Sequence, residues 1–186
     1  MGTKSFWNVF FFSMICLWGA GNAMASGRGS EASDRQDKLN GGYYLLHHLC
    51  EDEVQLPLLV AIKHTPPDIV DYVDRIAKTA HSGLDTMDRI KKGNSSVQFD
   101  KNPLPPIEID VRASIRETKQ HQLVFGTTDK AFVRALLISQ IEATSYGLHL
   151  AKVLAEQDPD RSKALQALSA KWSARNDEAY KLLANL

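Results

Sequence analysis

The sequence predicts an all-α protein: a four-helix bundle with an extra short crossover helix, preceded by an N-terminal signal peptide. Three observations carry that prediction. After residue 40, apolar residues recur at spacings of three and four almost throughout, which is the helical period. The helical stretches run to roughly 20–30 residues and are joined by short links and one long Pro-rich crossover, the connectivity of a bundle. No stretch alternates for long enough to make a strand, since Val97-Gln98-Phe99 does so for only three residues.

The first element, residues 1–25, directs export. Lys4 supplies the positive start, Phe6 to Ala20 is almost wholly apolar, and Ala23-Met24-Ala25 is a small-x-small cleavage site before Ser26. The apolar run is shorter than the roughly 20 residues that a membrane-spanning helix needs. Residues 26–40 are rich in Gly, Ser and charge, so they are expected to form a flexible lead-in that buries too little surface to order itself. The domain itself is expected over 41–186.

Within it, helix one is predicted over about Gly42 to His64, with an inward stripe of Leu46, Leu49, Glu53, Leu56 and Val60. Pro57 should kink or break it, because proline removes a backbone donor. Helix two starts at Thr65-Pro66-Pro67-Asp68, with Thr65 as the expected N-cap and proline in the first turn. Its stripe is Ile69, Val73, Ala77, Ala80, Leu84 and Met87, and it should stop near Gly93-Asn94. The crossover Asn102-Pro103-Leu104-Pro105-Pro106 leads to a shorter helix over about Asp110 to Phe125, closed by Gly126. Thr127 or Thr128 should cap helix four, about Asp129 to Gln157, striped by Phe132, Leu136, Gln140, Ala143, Gly147, Leu150 and Leu154. Asp158-Pro159-Asp160 is the turn into helix five, about Asp160 to Leu186, striped by Leu165, Leu168, Trp172, Asn176, Ala179 and Leu183.

Composition narrows the function classes. The chain has 186 residues with 22 Lys+Arg and 22 Asp+Glu. Removal of residues 1–25 deletes one charge, Lys4, so the mature chain is nearly neutral and lacks the basic excess of a nucleic-acid binder. About 160 residues remain, enough for one core. No later segment is apolar for long enough to cross a membrane. Of the two cysteines, Cys16 lies inside the signal and follows Ile15 rather than a small residue, so lipidation is not expected. Cys50 is then the one thiol of the mature chain, either free or available for a disulfide-linked dimer.

One feature points to chemistry. Each long stripe contains a polar residue where the period asks for an apolar one: Glu53 in helix one, His81 in helix two, Gln140 or Ser139 in helix four, and Arg175 or Asn176 in helix five. Buried polar groups are costly unless partnered, so Glu53, His81, Gln140, Arg175 and Asn176 are expected to meet mid-length and satisfy one another. A charge-assisted Glu53–Arg175 pair would be the strongest link in that layer. Bundles also hold metal this way, typically with Glu-x-x-His repeats. No such repeat occurs here, and Glu117 with His121 lies on the short helix. His47, Cys50 and Glu51 share one helix face, where a cluster near a helix start is the plainer explanation. Asp74, Asp85 and Asp88 around His81 read as a solvated face, as do His149 with Glu142. Trp172 and Tyr43-Tyr44 read as core or rim. No phosphate-binding loop or nucleophile motif is present, so nothing indicates an enzyme.

The stretch Glu53-Val54-Gln55-Leu56-Pro57-Leu58-Leu59, then Ala80-His81 about 28 residues on, and Asp129-Lys130-Ala131-Phe132 at the head of helix four resemble motifs of a known family. It is a ferritin-like family of exported bacterial proteins, described as a domain of unknown function or as outer-membrane proteins. Its pattern is roughly Glu-Val-x-Leu-Gly-x-Leu-Ala, Asp-His, then Phe-Asp-x-Ala-Tyr with a later His and a last His near the C-terminus. The likeness covers about Gly41 to Leu183. Glu53 and His81 match the family's Glu and first His. The later histidines fall near Gln140 and Arg175, Pro57 replaces the Gly, and Ala80 replaces the Asp. If the family positions hold metal, this divergent member keeps about half of the ligands. The resemblance implies fold and compartment more than activity.

The expected function is therefore that of an exported protein of the periplasm or cell envelope, a non-catalytic binding or structural module without a cofactor, acting on a protein or envelope component, as in envelope stress. The alternative is a ferritin-like protein holding a divalent metal on Glu53 and His81. A redox role for Cys50 lacks a resolving partner in the mature chain.

Overall fold

The computed structural model describes residues 28–99, 102–125 and 129–186. Those residues are all-helical: α1 (Arg28–Val54), α2 (Leu56–Ala61), α3 (Pro67–Gly93), α4 (Pro106–Phe125), α5 (Asp129–Gln157) and α6 (Ser162–Ala184), with a 3-10 turn at Pro159–Arg161. No strand forms among them; Val97 and Phe99 instead turn into the core from an irregular link. The proposed signal sequence, and the predicted caps at Gly126, Thr127 and Thr128, lie outside the described residues. No described helix is long and apolar enough to cross a membrane.

Local chemistry sets most boundaries. Proline at position 57 cannot donate to the carbonyl of residue 53, and its ring crowds that carbonyl, so the first helix breaks at Gln55. Gln55 N then bonds Asp52 O and Leu58 N bonds Gln55 O, closing a tight turn into α2. Pro67 opens α3 with Pro66 as its N-cap and no side-chain cap. Thr65 does not cap it as expected: its hydroxyl donates back to the carbonyls of Val60 and Lys63, closing the end of α2. α4 starts at Pro106, four residues before the predicted Asp110.

The predicted lead-in at 26–40 is corrected over most of its length, since α1 is helical from Arg28. The reason is docking. The Arg35 guanidinium donates to the carbonyl of Gln157 at 2.9 Å, Gln36 donates to that of Ser96, and Leu39 is 9 % exposed. Composition reports only what the segment can bury alone; here other elements supply its partners.

The four long helices close a ring around one core. α1 packs on α3 and α5, α6 packs on α3 and α5, and the α5–α6 pair is the most extensive. Leu46 and Leu49 of α1, Ile76 and Met87 of α3, Leu136 of α5 and Trp172 of α6 are fully buried. Gly147 lets α5 and α6 approach: a Cβ there would sit 3.0 Å from the Trp172 ring. Tyr43 ties α1 to the far turn, its hydroxyl donating to Asp158 at 2.8 Å, while Arg161 holds the other oxygen of that buried carboxylate at 2.8 Å. α4 lies outside this ring, against α5. Lys119 pairs with Glu142 of α5 at 3.0 Å.

Candidate functional site

The polar layer assembles only in part. Glu53 is 2 % exposed and Gln140 fully buried, on facing helices α1 and α5. Burial pushes the Glu53 carboxyl up to about 8, the Asp52 charge adds to the rise, and the nearby Gln140 amide opposes it. Glu53 is therefore mostly protonated at neutral pH. The two side chains are close without meeting hydrogen-bond geometry, for both amide atoms of Gln140 and Oε2 of Glu53 lack partners. Tyr72 joins them from α3: it is fully buried, its hydroxyl lacks a partner, and its acidity is suppressed first by burial and then by the Glu53 charge. Tyr72 carries no signal in the sequence, because tyrosine reads as an acceptable core residue and does not interrupt a stripe.

Asn176 takes the inward position on α6. Its amide donates to the carbonyl of Ile141 and to the Thr144 hydroxyl, both at 2.9 Å, and that hydroxyl donates to the Gln140 carbonyl at 2.6 Å. The predicted Glu53–Arg175 pair is not formed. Arg175 bonds Glu178 at 2.9 Å, and Arg75 of α3 also bonds Glu178, making a bridge from α3 to α6 on the outer side of the layer. His81 is exposed and takes no place in the layer. One residue along a helix is a rotation of about 100°, and the inward line of α3 runs through Tyr72, Ile76, Ala80, Gly83 and Met87. Glu53 thus points into the core while His81 stands on the exposed face of α3, and the two do not share one environment. Cys50 is fully buried against Gly83, where a Cβ would come within 2.5 Å of its Sγ. Burial drives the thiol's pKa upward. The expected disulfide-linked dimer through Cys50 is corrected on that ground, since an enclosed thiol cannot reach another chain.

The weaker candidates scatter. Asp74, Asp85, Asp88, Glu117, His121 and His149 are exposed, Glu142 is held by Lys119, and Trp172 and Tyr43 are core.

A cleft opens beside the layer, where α1 and α4 face one another. It measures about 540 Å3, with Tyr44, His48, Glu51, Asp52, Arg112 and Arg116 among its polar lining beside Gln55 and Asn102. Helical spacing explains the set: residues 44, 48, 51 and 52 form one face of α1, and 112 and 116 one face of α4. Burial raises the Asp52 carboxyl to about 7 against the lowering charge of Arg116. The Nε of Arg116 is buried without a partner, while Arg112 bonds Glu108 at 2.7 Å. Burial is the chief cause that shifts His48 down, against the raising charge of Glu51. At the cleft's mouth the ligand atoms of His47, His48 and Glu51 lie within 4.8 Å of one another, the group among the described residues with the composition to hold a metal. His47 and Glu51 are legible from their i,i+4 spacing, but the third member is His48 rather than the expected Cys50, which is buried. No protein-family model, curated protein or solved structure matches the chain.

Proposed function

We propose that the chain is an exported, non-catalytic binding module of the periplasm or cell envelope, a ferritin-like four-helix bundle of α1, α3, α5 and α6. In this reading α4 is the crossover helix that builds the binding site. The observation that carries it is the cleft between α1 and α4, into which Arg116 brings a buried Nε without a partner. A buried donor left unmade is costly, and Arg116 is only half-buried in the cleft wall, so an acceptor from outside the chain can meet the rest of its guanidinium. The fitting partner is an envelope component with a carboxylate or phosphate, which a guanidinium binds through paired donors. The sequence features that support export are Lys4, the apolar run and Ala23-Met24-Ala25.

Two measurements test this. Intact mass of the protein from a periplasmic fraction should correspond to a chain starting at Ser26; a chain starting at Met1 counts against export. A photocrosslinking residue at Ile109, on the cleft wall, should capture one discrete species that Arg116→Ala abolishes. The same residue at Val153, on another exposed face, should not. Equal capture at both positions would refute the cleft as the binding site.

A further inference from the structure

We propose that His47, His48 and Glu51 form a divalent transition-metal site at the mouth of the cleft, selective for zinc, copper or nickel over calcium and magnesium. The inference goes beyond the binding reading and does not depend on the cleft having a partner.

The geometry is that of a site nearly assembled. Glu51 follows His47 by four residues and His48 by three, so one carboxylate reaches both rings on the same helix. Its Oε2 lies 3.4 Å from Nδ1 of His47 and 2.8 Å from Nδ1 of His48. In a tetrahedral shell with bonds of about 2.0–2.1 Å, neighbouring donor atoms stand roughly 3.3 Å apart. Two of the three separations bracket that value, and the third falls within the 4.8 Å that encloses all three atoms.

Both rings are held. His47 stacks on Phe99, with ring centroids 5.0 Å apart and planes 23° apart. His48 packs on Tyr44 at 4.2 Å. Rings fixed by packing lose less freedom when they ligate, which is how surrounding residues tune a metal site. The donor set decides the class of metal. Two imidazoles with one carboxylate suit zinc, copper and nickel, whereas calcium and magnesium want oxygen ligands. The side chains of His48 and Glu51 are 38 % and 47 % exposed, so an ion can enter and its remaining positions can take water or an outside ligand. The charges nearby are mixed. Arg116 opposes a cation, while Glu51 and Asp52 favour one.

The test is calorimetric titration of Zn2+ and Cu2+ into the purified protein after EDTA treatment and dialysis. One ion per chain should bind, with a dissociation constant on the order of micromolar or below. His48→Ala and Glu51→Gln should each weaken binding by about tenfold or more, with denaturation midpoints close to wild type because both side chains are at the surface. Ca2+ and Mg2+ in equal amounts should not compete. His81→Ala and Glu53→Gln should bind as the wild type does. No binding tighter than millimolar, binding unchanged in His48→Ala, binding lost in His81→Ala, or displacement by Ca2+ would each overturn the proposal.

Discussion

Glu53→Gln should make the protein more resistant to alkaline unfolding than the wild type. The Glu53 carboxyl sits in the core at a pKa of about 8, against 4.5 for an ordinary glutamate, with burial as the leading cause. A carboxyl whose pKa is raised in the folded state binds its proton more tightly there than in the unfolded chain. Its contribution is whole below about pH 4.5, fades as pH rises towards 8, and is gone above that. At about 1.4 kcal/mol for each pKa unit, the difference between 4.5 and 8 corresponds to about 5 kcal/mol. Native domains hold only about 5–15 kcal/mol in all, so a loss of this size is decisive. Glutamine keeps the shape and the neutral state of the protonated acid. The variant should match the wild type within about 1 kcal/mol near pH 5, and exceed it by several kcal/mol near pH 9. Urea unfolding followed by tryptophan fluorescence at each pH measures this, with Trp172 reporting from the core. Asp52, raised to about 7, imposes a slope of the same sign at lower pH in both proteins; its charge is also one cause of the Glu53 rise, so only the part of that slope independent of Glu53 cancels in their difference. Stability curves that run parallel from pH 5 to 9 would refute the argument, as would a Glu53→Gln protein weaker at pH 9.

Three further outcomes follow from the packing. Gly83→Ala should destabilise by about 1–3 kcal/mol through the clash with Cys50 Sγ, and Cys50→Ala should relieve most of it; additive effects in a double-mutant cycle would contradict the contact. The same enclosure should leave Cys50 unlabelled by thiol reagents, with no dimer on non-reducing gels, until the protein is unfolded; rapid native labelling would place the thiol outside the core. Asn176→Ala should cost about 1–3 kcal/mol by unmaking the bonds to Ile141 and Thr144, whereas Arg175→Met should cost under about 1 kcal/mol and should not rescue Glu53→Ala; a rescue would show that Glu53 and Arg175 face each other after all.

The features legible without the fold are local ones. Proline, glycine and apolar spacing act within a turn or two of chain, so the bounds of α3 and α5 and the break at Gln55 were legible. The buried stripe of α1 and α2, with Glu53 in its line, was legible for the same reason. Helical phase was not, because periodicity fixes it only to about one residue, and one residue turns a side chain by about 100°. That margin put His81 outside and Ala80 inside, and gave the inward place to Asn176 rather than Arg175. Tertiary structure alone decided the rest. Residues 28–40 are helical because Gln157 and Ser96 receive their side chains. The cleft exists because α4 lies opposite α1, bringing Arg116 beside Asp52 across more than sixty residues of chain. No spacing rule spans that separation, since such contacts depend on which faces are left uncovered once the core has closed.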